Sequence, residues 1–161
     1  GTAERDKATK ELDGVNISAA RKGAELVIAT EVPKHRGLAA LCPALPLVTV
    51  SYLIRVPRDA HVIVDGYGEV HFDGLAGDIE AHMHKGQITV RVASDAQYSV
   101  DAHTKLGIVI SDFAGDTKHH GFAGHDFAAS AQVPHKRVLE EDSGHILILK
   151  PAAPVLPAPT S

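Results

Sequence analysis

Short runs of alternating apolar and polar residues fill the middle of the chain, and a glycine interrupts each of them. Val62 and Val64, Ile79 and Ala81, and Val100 and Ala102 share an inward parity before the interruption; Val70 and Phe72, Ile88 and Val90, and Val109 follow it. Period two is the mark of a strand with one face on a core. The interrupting residues, Gly68, Gly86, Gly107 and Gly144, recur at intervals of 18, 21 and 37 residues, the last close to two periods. A repeat near nineteen residues carrying two short strands predicts a chain that coils rung upon rung, an all-β solenoid of about four to five rungs.

The flanks read differently. Val15, Ile17, Leu26, Ile28 and Val32 alternate around Arg21-Lys22-Gly23, which predicts an N-terminal β-hairpin of two half-buried strands. Residues 34–47 hold Gly37, Pro43 and Pro46 and predict a long loop with an apolar tip. Alternation resumes over Val48–Val56 as a further strand, ended by Pro57, which has no ladder donor. Residues 116–137 break the repeat, either as a degenerate rung or as an inserted loop, before it returns over Val138–Lys150. The expected organisation is a charged segment at 1–13, one β-strand-repeat domain at 14–150 and a proline-rich tail at 151–161.

Composition narrows the function classes. Hydrophobic residues make up 44% of the chain but aromatics only 4%, with no tryptophan, so the core is built from Val, Ile, Leu and Ala in thin layers. The net charge of -4 comes from interspersed acids and bases; without a basic stripe, no nucleic-acid partner is expected. No apolar run reaches the ~20 residues of a membrane-spanning helix, so no membrane span is expected. Cys42 is the single cysteine, which excludes an intramolecular disulfide. The chain opens on Gly-Thr-Ala without a methionine, which leaves room for a leader removed ahead of it.

The string YLIRVPRDAHVIVDGYGEV, followed by GLAGDIEAHMHKGQITV, YSVDAHTKLGIVISDFAG and SGHILILK, resembles the bacterial β-strand-repeat adhesin-like family of the cell envelope, related to head GIN domain proteins. The resemblance covers roughly residues 12–150. Its markers are Val56-Pro57, Gly77-Asp78 and the glycine of each rung; Tyr67, Met83-His84-Lys85 and Thr104-Lys105-Leu106 stand where family members usually carry Thr, Gly and Asn. It implies a right-handed single-stranded β-solenoid, an extracytoplasmic setting at the periplasm or cell surface, a structural or interaction role with a protein or cell-surface ligand, and no catalytic residues. The short Val/Ile rungs also resemble bactofilins, which implies a self-assembling scaffold; Pro43 and Pro57 argue against an endless polymer, and a monomer or closed dimer is expected.

Histidine is over-represented, with eleven residues. Aligning rungs by their inward residues places Asp65, His82 and His103 at one outward position of consecutive rungs, with Glu141 at that position of the last. Rungs stack ~4.8 Å apart, so such a column can share a zinc, copper or nickel ion; the plainer alternative is a solvated polar ladder with no cofactor. His119, His120 and His125, with Asp126 beside them, form a second candidate metal cluster in a glycine-containing loop, without the spacing of an established zinc motif. Asp73, Asp78, Asp101 and Asp112 invite comparison with the acid clusters of β-helical polysaccharide-cleaving enzymes. The aromatic and arginine subsites of such grooves are scarce here, and no nucleophile elbow is present, so no enzymatic activity is expected.

Overall fold

The computed structural model describes residues 16–22, 25–31, 51–92, 99–121, 123–130 and 135–151, and these contain strands and no helix. The chain groups into two compact units, residues 1–54 and 55–161. The expectations for 1–13, 34–47 and the tail beyond Pro151 fall outside the described residues.

In the first unit β1 (Asn16–Lys22) and β2 (Glu25–Glu31) pair antiparallel with Lys22 opposite Glu25, so the hairpin is present. Its strands are exposed rather than half-buried, Ile17, Leu26 and Ile28 among them. A two-stranded ribbon has no second layer of its own against which to bury a face. The strand expected at 48–56 is not formed over its described part: residues 51–56 carry no ladder, and Leu53 and Ile54 are exposed. Alternation alone does not make a strand, which needs a neighbour to take its backbone hydrogen bonds.

The second unit is one mixed six-stranded sheet. Its strands are β3 (Val62–Asp73), β4 (Ile79–Arg91), β5 (Ser99–Ser111), β6 (Asp116–His120), β7 (Gly124–Ala129) and β8 (Lys136–Leu149), in the order β3-β4-β8-β5-β7-β6. β3, β4, β8 and β5 run parallel, whereas β7 joins β5, and β6 joins β7, antiparallel. Residues 116–137 are thus neither a rung nor a closing loop in their described part; they supply a hairpin that widens the sheet. Among the described residues no helix is long and apolar enough to cross a membrane.

The repeated glycine is a row across four strands, with Gly68 opposite Gly86, Gly86 opposite Gly144, and Gly144 opposite Gly107. Gly86 and Gly107 have φ of +146° and +157°, and a Cβ on either would collide with the carbonyl oxygen of Gly68 or Gly144 respectively. At this row the inward parity switches: Ile79, Ala81 and Met83 are buried before it, Ile88, Val90 and Val92 after it. A strand that turns a corner while keeping one side on the core must change parity there. The inward residues of both arms, Leu139, Ile146 and Ile148 of β8 included, form one core. The inward assignments from the sequence hold, and Ile63 and Ile110 are exposed on the outward parity. Thr89, also of outward parity, is buried, its hydroxyl accepting from Gln87 Nε2 at 3.1 Å.

Consecutive repeats are not all neighbours. β8, the last repeat in sequence, lies between β4 and β5. Two aspartates hold it there: the Lys136 N–H donates to Asp78 Oδ1 at 2.9 Å, where β8 begins, and the Lys150 N–H donates to Asp112 Oδ2 at 2.9 Å, where it ends. Buried Arg137 donates from Nη2 to the Leu75 carbonyl at 2.6 Å, tying β8 to the turn between β3 and β4. Asp78 and Asp112 therefore act as backbone clamps, and Asp73 and Asp101 are exposed.

Candidate metal centre

The insertion of β8 decides which polar side chains meet on the outer face. One register row crosses all six strands as Asp65, His82, Glu140, His103, Asp126 and Lys118, with acids and bases alternating. Glu140 stands between His82 and His103, so these histidines are two strands apart and do not belong to one column of neighbours. Glu141, expected in that row, faces inward and is buried, because Leu139 sets the parity of β8 one residue away. Burial pushes the Glu141 carboxyl above its ordinary pKa, against the pull of the Ser143 and Gly86 backbone amides.

Asp65 and His82 are opposed as expected, and two further residues, His84 and Asp142, join them. On a strand His84 shares the face of His82, and Asp142 shares the face of Glu140. The four close a ring in which imidazoles and carboxylates alternate. His82 Nδ1 lies 3.1 Å from Asp65 Oδ2 and its Nε2 lies 3.5 Å from Asp142 Oδ1. His84 Nδ1 lies 3.0 Å from Asp142 Oδ2 and its Nε2 lies 3.9 Å from Asp65 Oδ1. The two imidazoles meet edge to face at 4.6 Å, and Tyr67 flanks His84. Asp65, His82 and His84 each offer a ligand atom, all within 4.8 Å of one another. Lys105 Nζ pairs with Asp142 Oδ1 at 2.7 Å.

The charges of the ring are coupled. An imidazole with a carboxylate at each nitrogen donates to both only as imidazolium, and the hydrogen bond with Asp65 raises the His82 pKa, with Asp142 adding to it. Lys105, then His84, hold Asp142 well below the usual carboxylate range. Stability contributed by Asp142 is therefore complete above ~3.9; that from His82 is complete below ~6.5 and is lost as pH rises through its raised value. Raised Glu141 acts in the same sense as His82, costing stability as pH climbs from ~4.3 through its folded value. Metal-free protein is accordingly expected to melt at a higher temperature near pH ~5.5 than near pH ~8. Thermal denaturation over that interval checks this, and a melting temperature that rises with pH contradicts it. His82→Asn should make that slope shallower.

The second predicted cluster is split by its own hairpin. His119 and His125 are opposite one another with rings 4.2 Å apart, whereas His120, one residue on, takes the other face. There His120 joins His103 and Asp126: His103 Nδ1 is 2.5 Å from Asp126 Oδ1 and His120 Nδ1 is 3.3 Å from Asp126 Oδ2. Burial raises the Asp126 pKa, but its contacts with His103 and His120 outweigh this and hold it below the ordinary value. His84 could have been found from the spacing His82-x-His84, since period two alone puts both on one face. Asp142 and Asp126 could not, because their strands reach the site through long-range pairing.

Comparison with protein-family models, with curated proteins and with solved structures finds no match to this chain.

Proposed function

We propose that this protein is a non-enzymatic β-scaffold, its glycine-cornered parallel strands forming a short solenoid, that binds a divalent transition metal on its outer face through Asp65, His82 and His84, with Asp142 behind the two imidazoles. The observation that carries the reading is the closed ring of two imidazoles and two carboxylates drawn from β3, β4 and β8. Imidazole nitrogen with carboxylate oxygen suits zinc, copper or nickel better than calcium or magnesium. Whichever nitrogen of His82 or His84 takes the metal, the other already faces a carboxylate, the arrangement that orients metal-bound histidines. With Asp65 on the metal side, Asp142 holds the far nitrogens of both imidazoles and is itself held by Lys105.

Chelator-treated protein titrated with zinc is expected to bind it and to melt higher, with stabilisation of ~2.7 kcal/mol at a free metal concentration a hundred times Kd. Affinity should fall as pH drops through the histidine range, because protons compete for the same nitrogens. His82→Ala with His84→Ala should remove one equivalent of bound zinc. Zinc stoichiometry unchanged in that double variant overturns the reading.

A further inference from the structure

We propose that His103, Asp126 and His120 form a second divalent transition-metal site, separate from the ring of Asp65, His82, His84 and Asp142. This goes beyond the function proposed above and stands on different residues. Three strands supply the donors, β5, β7 and β6, and each donor offers an atom within 4.8 Å of the other two. The Asp126 carboxylate sits between the imidazoles, one oxygen toward each Nδ1. His120 Nδ1 is screened from water and, among the described residues, has no hydrogen-bond partner; its contact with Asp126 is close but not aligned. A screened nitrogen without a hydrogen bond has a lone pair or proton left over, and a cation held by Asp126 would use it.

The surroundings are arranged for that imidazole. Gly124, opposite His120 in the hairpin, is bare where it must be, because a Cβ there would overlap the His120 ring. The rings of His103 and His120 are stacked 4.6 Å apart and 8° from parallel, so a shared ion requires one of them to turn about its Cβ–Cγ bond. All three side chains are half-exposed, which leaves an aqueous ion a way in. Glu140 is in register with both His82 and His103, so the nearest histidines of the two sites lie about two strand spacings, ~10 Å, apart and the sites share no ligand. A carboxylate between two dications also lessens their repulsion.

Cobalt(II) titration of the chelator-treated full chain, followed by visible absorption and calorimetry, tests the inference, with circular dichroism confirming that each variant is folded. The parent should bind two equivalents. His82→Ala with His84→Ala should leave one, and Asp126→Asn should weaken that remaining ion on the order of 100-fold while leaving the ring site of the parent in place. His103→Asn with His120→Asn, which keeps side chains of similar polarity, should remove the same ion. A parent that binds a single equivalent, lost with His82 and His84, overturns the second site and leaves the first standing. A single equivalent that survives their loss and disappears with His103 and His120 supports the second site and removes the first. No binding by the folded parent overturns both.

Discussion

Replacing Gly86 by alanine is expected to prevent the sheet from forming, or to cost ~4 kcal/mol or more, in the range reached only when a core or backbone requirement is broken. The added methyl would meet backbone, the carbonyl of Gly68 on the neighbouring strand, and not the yielding tip of a side chain. The φ of +146° is also strained for any residue with a Cβ, and β4 is hydrogen-bonded on both sides, so neither β3 nor β8 can withdraw without losing its ladder. Gly107→Ala should behave alike against Gly144. Gly66→Ala is the control, since a Cβ there meets nothing within 4 Å and its φ is unexceptional; its cost should stay within about 1 kcal/mol. Urea denaturation of the three variants decides the matter, and equal stabilities would remove the glycine row as the corner of the fold.

Truncating Ile146 to alanine should cost ~2–5 kcal/mol, as for other fully buried aliphatic side chains. Ile146 is completely buried on β8 and in register with Ile88 on one side and Val109 on the other. Neighbours in a thin aliphatic layer, with few aromatics to move into a void, collapse poorly around it. Ile88→Ala should cost a similar amount, and the double variant should depart from additivity by ~0.5–3 kcal/mol because the two cavities merge. Ile110→Ala, with its side chain 47% exposed, should cost far less. Chemical denaturation measures all four, and a cost at Ile110 equal to that at Ile146 would invert the assigned faces.

The outer face with its histidines and carboxylates illustrates how far local pattern reaches. Asp65 opposite His82 was legible, because β3 and β4 are consecutive repeats joined by a short turn and aligned by Gly68 and Gly86. The expected adjacency of His82 and His103 is not formed, since β8 enters between their strands. Every parallel strand of this unit carries inward aliphatics on both sides of a glycine, so that shared pattern ranks no neighbour above another. The ends of β8 add to its two ladders: Asp78 accepts from its start and Asp112 from the residue that follows it.

Sequence by itself determined the inward positions of β3, β4 and β5, the glycine row and the all-β class, because period-two alternation and the space a Cβ requires are properties of a few adjacent residues. Tertiary structure alone decided the strand order, and with it the company of each histidine. A one-residue difference in the parity of β8 buried Glu141 and brought Glu140 and Asp142 to the outer face. The β6–β7 hairpin parted His120 from His119 and His125 and set it against Asp126. Pairings between strands distant in sequence depend on the summed fit of whole ladders and their ends, which no single stretch of the chain contains.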